Sequence, residues 1–199
     1  LPLINEIEER LSSLKEVKKI IVAGSVRRWK ETIGDADILV ISDYPKPLMD
    51  FFVKMPEVGK IYGKGETKST VKLKNGMDID LRVVEEKSYG AALNYFTGSK
   101  EHNVALRQIA KDKGLKLSEY GLFEGNKFIA GRNEEELYKA LGLRYIEPEL
   151  RESHGEEIKA SRENKLPNLI NYDELKGDLQ VQTNWTEGTK SIKEMALEA

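Results

Sequence analysis

The chain has 199 residues, 39% of them hydrophobic and 33% charged. That is enough for one full domain or two small ones, and too rich in core formers for wholesale disorder. There is no cysteine and there are only two histidines, which excludes thiol catalysis, disulfide staples, zinc ribbons and a histidine-rich metal site. Any metal chemistry must run on carboxylates, which favour hard ions such as magnesium. The net charge of -2 hides an asymmetry: residues 1–133 carry 23 basic and 19 acidic side chains, residues 134–199 carry 9 and 15. The basic first part permits a nucleic-acid partner, and the acidic end reads as a different module. No apolar run could span a bilayer and no secretory pattern opens the chain, so no membrane partner and a cytoplasmic location are expected. A start at Leu1 and a helical pattern at Ser191–Ala199 suggest a piece of a longer protein.

Leu3, Ile4, Ile7, Leu11, Leu14 and Val17 recur at helical spacing and predict an amphipathic helix over residues 3–18. Ile20–Ala23 reads as a buried strand, broken by Gly24-Ser25, with a helical turn over Val26–Lys30. Asp35–Ile41 is a second strand; Pro45 and Pro47 close that unit, and Leu48, Met49, Phe51, Phe52 and Met55 suggest a short helix. Thr67–Lys74 and Met77–Val84 alternate on either side of Asn75-Gly76, a strong hairpin signal because both turn positions need positive φ. On the second of these strands Asp78, Asp80 and Arg82 share one face. Tyr89, Leu93 and Phe96 then mark a helix ended by Gly98, and Ser99 can cap a second helix that runs to Lys113 and stops at Gly114. Leu115–Phe123 and Lys127–Ala130 read as a hairpin, Asn133 and three glutamates as a helix start, and Gly142 as its stop. Residues 147–167, charged and bounded by Pro148 and Pro167, look like a linker.

Chemistry concentrates in three places. Asp35 and Asp37 lie two apart on a strand and so share a face, and Asp80 offers a third carboxylate from another strand. Three converging acids would raise each other's pKa unless a cation neutralised them. Two divalent ions about 3.5–4 Å apart can clamp the attacking and leaving oxygens of a phosphoryl transfer. On pattern alone, solvated strand-end acids account for them equally. Gly24-Ser25, between a strand and a helical turn, supplies backbone N–H groups and a hydroxyl for a phosphate, with Arg27 and Arg28 adding charge. Asn103 and Arg107 are four apart on a helix, and Lys100 and Lys111 extend the same stripe, along which a phosphate backbone could lie; a solvated helix face is the simpler account of that stripe taken alone.

Longer stretches carry a resemblance. Gly24–Asp37 (GSVRRWKETIGDAD) resembles the first palm motif of family X DNA polymerases, the DNA polymerase beta group. Gly65–Leu73 (GETKSTVKL) and Asp80–Val84 (DLRVV) are similar to its later palm motifs, and Tyr95–Arg107 (YFTGSKEHNVALR) to its nucleotide-selecting thumb motif; Glu119-Tyr120-Gly121 also fits. The bacterial and archaeal branch is most similar, in which a polymerase-and-histidinol-phosphatase (PHP) domain follows, and Gly177–Gly188 looks like its opening motif.

The resemblance implies an α/β (α+β) fold: a nucleotidyltransferase palm with a mixed, mostly antiparallel sheet at residues 1–86, and a small helical and β-hairpin thumb at 87–146. A linker at 147–176 and the start of a truncated PHP-like domain at 177–199 would follow. It implies a template-directed DNA polymerase that fills short gaps in repair, with two magnesium ions (manganese substituting), gapped or primer–template DNA and a deoxynucleotide triphosphate as partners, acting as a monomer. Asp35, Asp37 and Asp80 would be the catalytic metal ligands, with Asp78 a rival to Asp80 on the same face. Gly24, Ser25, Arg28 and Gly34 would hold the triphosphate, Tyr95, Phe96 and Gly98 would pack at the sugar, and Asn103 and Arg107 would read the nascent base pair. Lys64, Thr67, Lys68, Arg82 and Lys100 would complete the DNA contacts with Arg107. Met55, Phe51, Tyr89 and Leu93 read as core, His102 as a surface histidine and His154 as solvated.

The departures are as instructive. Trp29 stands where the family has glycine, where a large ring could narrow the triphosphate site, stack on substrate or cover the core edge. The family's N-terminal helix-hairpin-helix domain has no counterpart in these residues. Gln180 and Gln182 replace the histidine pair of the PHP motif, and glutamine is a weak ligand for transition metals, so a downstream PHP site is expected to be inactive. Two other readings stand beside the polymerase: a non-templated or RNA-related nucleotidyltransferase, and a catalytically weak DNA- or nucleotide-binding module.

Overall fold

The computed structural model describes residues 2–152, 155–170, 172–177 and 181–198. The chain forms two compact units, Leu1–Leu166 and Pro167–Ala199. In the first, a five-stranded sheet is built from β1 (Lys19–Val22), β2 (Asp35–Ile41), β3 (Val58–Lys64), β4 (Lys68–Leu73) and β5 (Asp78–Val84), in the order β1-β2-β5-β4-β3. Only β2 and β5 run parallel; the other pairs are antiparallel, so the sheet is mixed and mostly antiparallel as expected.

Period two divides β2 between two cores. Ala36, Ile38 and Val40 pack with α1 (Pro2–Ser12) and α3 (Pro45–Phe52) through Ile4, Ile7, Leu11, Leu48, Met49 and Phe52. Leu39 and Ile41 point the other way, to Tyr89, Ala92 and Leu93 around α4 (Tyr89–Thr97). Asp35 and Asp37 have the parity of Leu39 and Ile41, but sit at the strand end that this second core does not reach. A third core joins α5 (Lys100–Asp112), the small antiparallel sheet of β6 (Lys116–Ser118), β7 (Gly121–Glu124) and β8 (Lys127–Ala130), α6 (Glu134–Leu141) and α7 (Glu156–Arg162).

The expected caps form. Ser99 Oγ accepts the His102 N–H at 3.2 Å, Asn133 Oδ1 accepts the Glu136 N–H at 2.7 Å, and Gly142 closes α6 at φ 77°. The helical turn expected over Val26–Lys30 starts earlier, at Gly24, and ends at Arg27, and the expected boundaries differ more widely in four places. The first helix ends at Ser12, because the Ser12 and Ser13 hydroxyls donate back to the Glu9 and Arg10 carbonyls at 2.7 Å each; Leu14 and Val17 still pack, from a turn. The stretch Leu115–Phe123 is two strands rather than one, broken at Glu119-Tyr120. The edge strand β3 was not foreseen: it is exposed almost throughout and interrupted by register shifts. Finally, residues 147–166 are not an extended linker. They carry α7, and Arg151, Glu157, Ile158 and Ser161 are buried.

In the second unit α8 (Ile192–Glu198) starts at a reciprocal cap, Ser191 Oγ accepting the Glu194 N–H at 3.2 Å while Glu194 accepts the Ser191 N–H at 2.8 Å. Gln182 is exposed there; His154, Asp178 and Gln180, to which sequence expectations attached, lie outside the described residues. No helix among the described residues is long and apolar enough to cross a membrane.

Candidate functional site

The parallel pairing of β2 and β5 sets Asp35 beside Asp78 and Asp37 beside Asp80, so the acids of two distant segments share one sheet face. Antiparallel β4 brings Lys68, Thr70 and Lys72 to the same rows, opposite Arg82, Asp80 and Asp78. Asp80 is thereby surrounded: Thr70 donates to it at 2.5 Å, Lys68 lies at 3.1 Å and Arg82 at 3.2 Å. Burial opposes its ionisation most strongly, but the Thr70 and Lys68 hydrogen bonds and the two cations outweigh it and hold the carboxyl below its ordinary value. Asp37 stands in contrast. Burial first, and then the charges on Asp35 and Asp80, push its carboxyl up to about 6. Asp78 pairs with Lys72 at 3.1 Å, away from this centre.

In front of Asp35 and Asp37 lies a cavity of about 340 Å³. Its remaining walls are Gly24, Ser25 and Arg28 from α2 (Gly24–Arg27) and the turn after it, Tyr95, Phe96 and Gly98 at the end of α4, and Lys100, Asn103 and Arg107 on α5. Lys100, Asn103 and Arg107 of the helix stripe therefore meet Asp35 and Asp37 across one space, which Lys111 and Asp80 do not line. Two glycines make the approach possible. Gly24 has φ 64°, and a Cβ there would lie 3.0 Å from Asp37 Oδ2; Gly98 has φ 76°, and a Cβ there would lie 3.0 Å from Arg28 Nη1. The Ser25 hydroxyl is buried without a hydrogen-bond partner. Arg28 is bound by its Nε to Glu152 and by Nη1 to the Thr97 carbonyl.

The remaining predicted residues fall elsewhere. Thr67, Lys68 and Arg82 line a second cavity of about 620 Å³ with Tyr120, Phe123 and Phe128, and Phe96 lines both cavities. The Arg82 guanidinium stacks on the Phe96 ring at 4.3 Å, coupling the two walls. Lys64 is engaged by Asp50 on the surface, Gly34 is exposed beside Asp35, and neither lines these cavities. Trp29 is 59% exposed and lines neither, so it does not narrow the site; its φ of 55° explains why glycine suits that position. Phe51, expected in the core, is 38% exposed at the end of α3. His102, expected on the surface, is fully buried.

Sequence reasoning missed a buried polar network. Arg27 donates to Thr97 Oγ1 at 2.8 Å and to Glu134 at 2.7 Å, and Glu134 also receives Arg151 at 2.8 Å and the Tyr145 hydroxyl at 3.1 Å. Arg27 also reaches the Tyr145 hydroxyl, 118 residues away, so no local spacing could have revealed the network.

The donors fit a hard cation in kind: carboxylate oxygens, one of them with a pKa raised by burial and then by its negative neighbours. Among the described residues no three such side chains are already gathered as a metal cage. The oxygens of Asp80 are taken up by Thr70, Lys68 and Arg82.

A family model described as the DNA polymerase beta thumb matches residues 92–152. The DNA polymerase/3'-5' exonuclease PolX of Bacillus subtilis is 37% identical over 98% of this chain, which spans only 35% of that protein. The repair DNA polymerase X of African swine fever virus (isolate Tick/Malawi/Lil 20-1/1983) is 31% identical over 67% of this chain and 82% of its own length. The ternary P/T complex of Leishmania infantum polymerase beta superposes with a TM-score of 0.65 at 25% identity, covering 74% of this chain and 73% of that one. With its mixed palm-like sheet, its acid pair and a viral repair enzyme matched over most of its length, the chain belongs to the family X DNA polymerases.

Proposed function

We propose that this chain is the catalytic part of a DNA-directed DNA polymerase that adds deoxynucleotides to a primer 3′-hydroxyl, with pyrophosphate release, and fills short gaps in repair. The observation that carries the reading is the single cavity in which Asp35 and Asp37 face Ser25, Arg28, Lys100, Asn103 and Arg107. The polymerase beta of Leishmania infantum was captured as a ternary P/T complex and as a ternary gap complex, which supports primer–template and gapped DNA as partners here. On this reading residues 1–86 are the palm and 87–146 the thumb.

Each side chain has a task that its surroundings suit. Ser25 donates its unpartnered hydroxyl to a phosphate oxygen, and Arg28 and Lys100 balance the triphosphate charge. Tyr95, Phe96 and Gly98 form the wall against the sugar, and Asn103 and Arg107 face the nascent base pair. Thr67, Lys68 and Arg82, with Tyr120 and the phenylalanines of the second cavity, offer cations and rings to the template strand. Asp35, Asp37 and Asp80 would hold two divalent cations, magnesium or manganese, Asp80 exchanging Lys68 and Arg82 for one of them. Such ions, when bound, stabilise the attacking and leaving oxygens of an in-line displacement. Asp80, ionised at neutral pH, also helps take the proton from the primer hydroxyl. The 3′-oxygen to α-phosphorus bond forms as the bond from that phosphorus to pyrophosphate breaks.

A second reading, a binding module without turnover, draws on Arg28 and Asp80, whose groups are already engaged by Glu152 and by Lys68 with Arg82. Gap filling with magnesium on a one-nucleotide gap separates the two. Insertion of the complementary nucleotide alone, abolished by Asp80→Ala, is expected. Nucleotide binding without insertion would support the second reading.

A further inference from the structure

From Asn103 at the cavity wall a line of buried polar side chains runs inward, and beyond Asn103 the proposed reaction does not use them. Its direction can be read from its fixed end. The Tyr95 carbonyl, in the last turn of α4, can only accept. Asn103 therefore turns Nδ2 to it (2.7 Å) and Oδ1 to Asn94 (3.3 Å). Asn94 must then present its own Nδ2 to Asn103, which leaves its Oδ1 for the Tyr138 hydroxyl 3.1 Å away. A phenol has one proton. Burial pushes the Tyr138 pKa far up, so that proton stays, and once it is given to Asn94 the Tyr138 oxygen can only accept from His102 Nε2 at 2.7 Å. On the far side of the ring, Nδ1 meets Glu157 Oε1 at 2.7 Å, and Glu157 is itself anchored by the Gly155 N–H at 3.0 Å. Tyr138 keeps this orientation only while His102 carries a proton on Nε2 besides the one that Nδ1 shares with Glu157, a state that burial of the ring opposes by lowering the His102 pKa, while Glu157 is itself held below its ordinary value. With Nε2 bare, Tyr138 would turn its proton to the ring, Asn94 would lose its donor, and Asn103 would be held by the Tyr95 carbonyl without a fixed Asn94 behind it.

We propose that His102 is a positioning residue for nucleotide selection: held by Glu157, it acts through Tyr138 and Asn94 to fix the Asn103 amide at the cavity wall. The proposal rests on the reading of Asn103 as a contact of the nascent base pair. It accounts for a fully buried histidine and a 4%-exposed glutamate brought together from segments 55 residues apart.

Nitrogen-15 NMR of the chain tests the geometry without any turnover. A proton on His102 Nε2 at neutral pH is expected, and Tyr138→Phe should move the side-chain amide signals of both Asn94 and Asn103 while the fold melts as one unit. A bare Nε2, or unmoved Asn103 signals in the folded variant, would overturn the proposal. Insertion into gapped DNA tests the consequence. Tyr138→Phe should lower the preference for the complementary nucleotide about five- to tenfold, the cost of one lost hydrogen bond, chiefly through the nucleotide KM. His102→Gln, which can still donate to Tyr138, should keep selectivity that His102→Leu loses. In an Asn103→Ala background Tyr138→Phe should have no further effect; an equal loss in both backgrounds means a merely structural role and sinks the idea. If Asn103→Ala alone leaves selectivity unchanged, the reading of Asn103 fails instead, and the NMR result still decides whether His102 sets its orientation.

Discussion

Asp37 and Glu134 are both carboxylates among charged neighbours, yet burial and like charges push Asp37 up to about 6, whereas Glu134 is held below its ordinary range. Burial opposes ionisation in both. The difference is what answers it. Glu134 receives Arg27, Arg151 and the Tyr145 hydroxyl and is 4% exposed. Asp37 is surrounded by Asp35 and Asp80 at the mouth of a cavity, beside a serine hydroxyl with no partner. A charge cluster answered from within is architecture; one answered only in part, as Asp37 is, has room for a ligand on the proposed reading. On this unit the two lie on either side of α2, with Arg27 turned to the closed cluster and Arg28 to the open one.

The largest expected effect is on turnover. Asp37→Ala should lower single-turnover insertion on the order of a thousandfold, with no fall in melting temperature at pH 7 in the absence of divalent cations. A variant that unfolds instead would place Asp37 with Glu134 and break the distinction. Next in size is Arg151→Met. It removes a fully buried guanidinium from Glu134 and from the Ile146 carbonyl, to which Arg151 donates twice, at 3.0 and 2.9 Å. Urea denaturation should show a loss of about 3–5 kcal/mol. Lys68→Ala, on the open face, should cost no more than about 1 kcal/mol because its ion pair with Asp80 is solvated.

The open cluster was the one legible in the sequence. Two acids two apart on an apolar strand must share a face, Asn75-Gly76 fixes a hairpin that carries Asp80, and Ser99 and Asn133 announce their helices. The family resemblance then supplied the roles. The closed cluster had no such signature. Arg151, Glu157 and Ser161 look like linker residues because charge density is a local property, while their burial depends on partners 17 to 55 residues away. The exposure expected of His102 failed for the same reason. Strand β3 escaped because an exposed edge strand has no apolar alternation to show.

The titration of Asp37 sharpens the contrast. Its folded pKa of about 6 lies above the ordinary 3.8. Between about pH 4 and pH 6 the folded chain keeps a proton that the unfolded chain has released, so this group's contribution to stability is present below pH 4 and is lost as pH rises through 6. The loss, discounted for residual solvent contact, is roughly 2 kcal/mol. Asp37→Asn should therefore be more stable than the parent at pH 7 and equal to it at pH 4, in denaturation experiments with a chelator present. Magnesium should narrow the gap at pH 7 by stabilising the parent alone. A parallel pair of pH profiles would mean that Asp37 is as well answered as Glu134.

Arg28 lies on the boundary between the two kinds of cluster, and its variant should have the smallest effect. It lines the open cavity, but Glu152 holds its Nε, and the pair is only part-buried, at 14% and 32% side-chain exposure. If Glu152 competes with the triphosphate, Glu152→Gln should tighten nucleotide binding to the gapped-DNA complex about threefold to fivefold, the worth of one exposed ion pair, and should leave stability almost unchanged. If Glu152 instead aims the guanidinium, with Nη2 left for the phosphate, the same change should weaken binding. Salt distinguishes these further: a competing ion pair is screened, so the advantage of Glu152→Gln should shrink as ionic strength rises. The sign of that one titration decides whether Arg28 belongs with the charges that await a ligand or with those already answered.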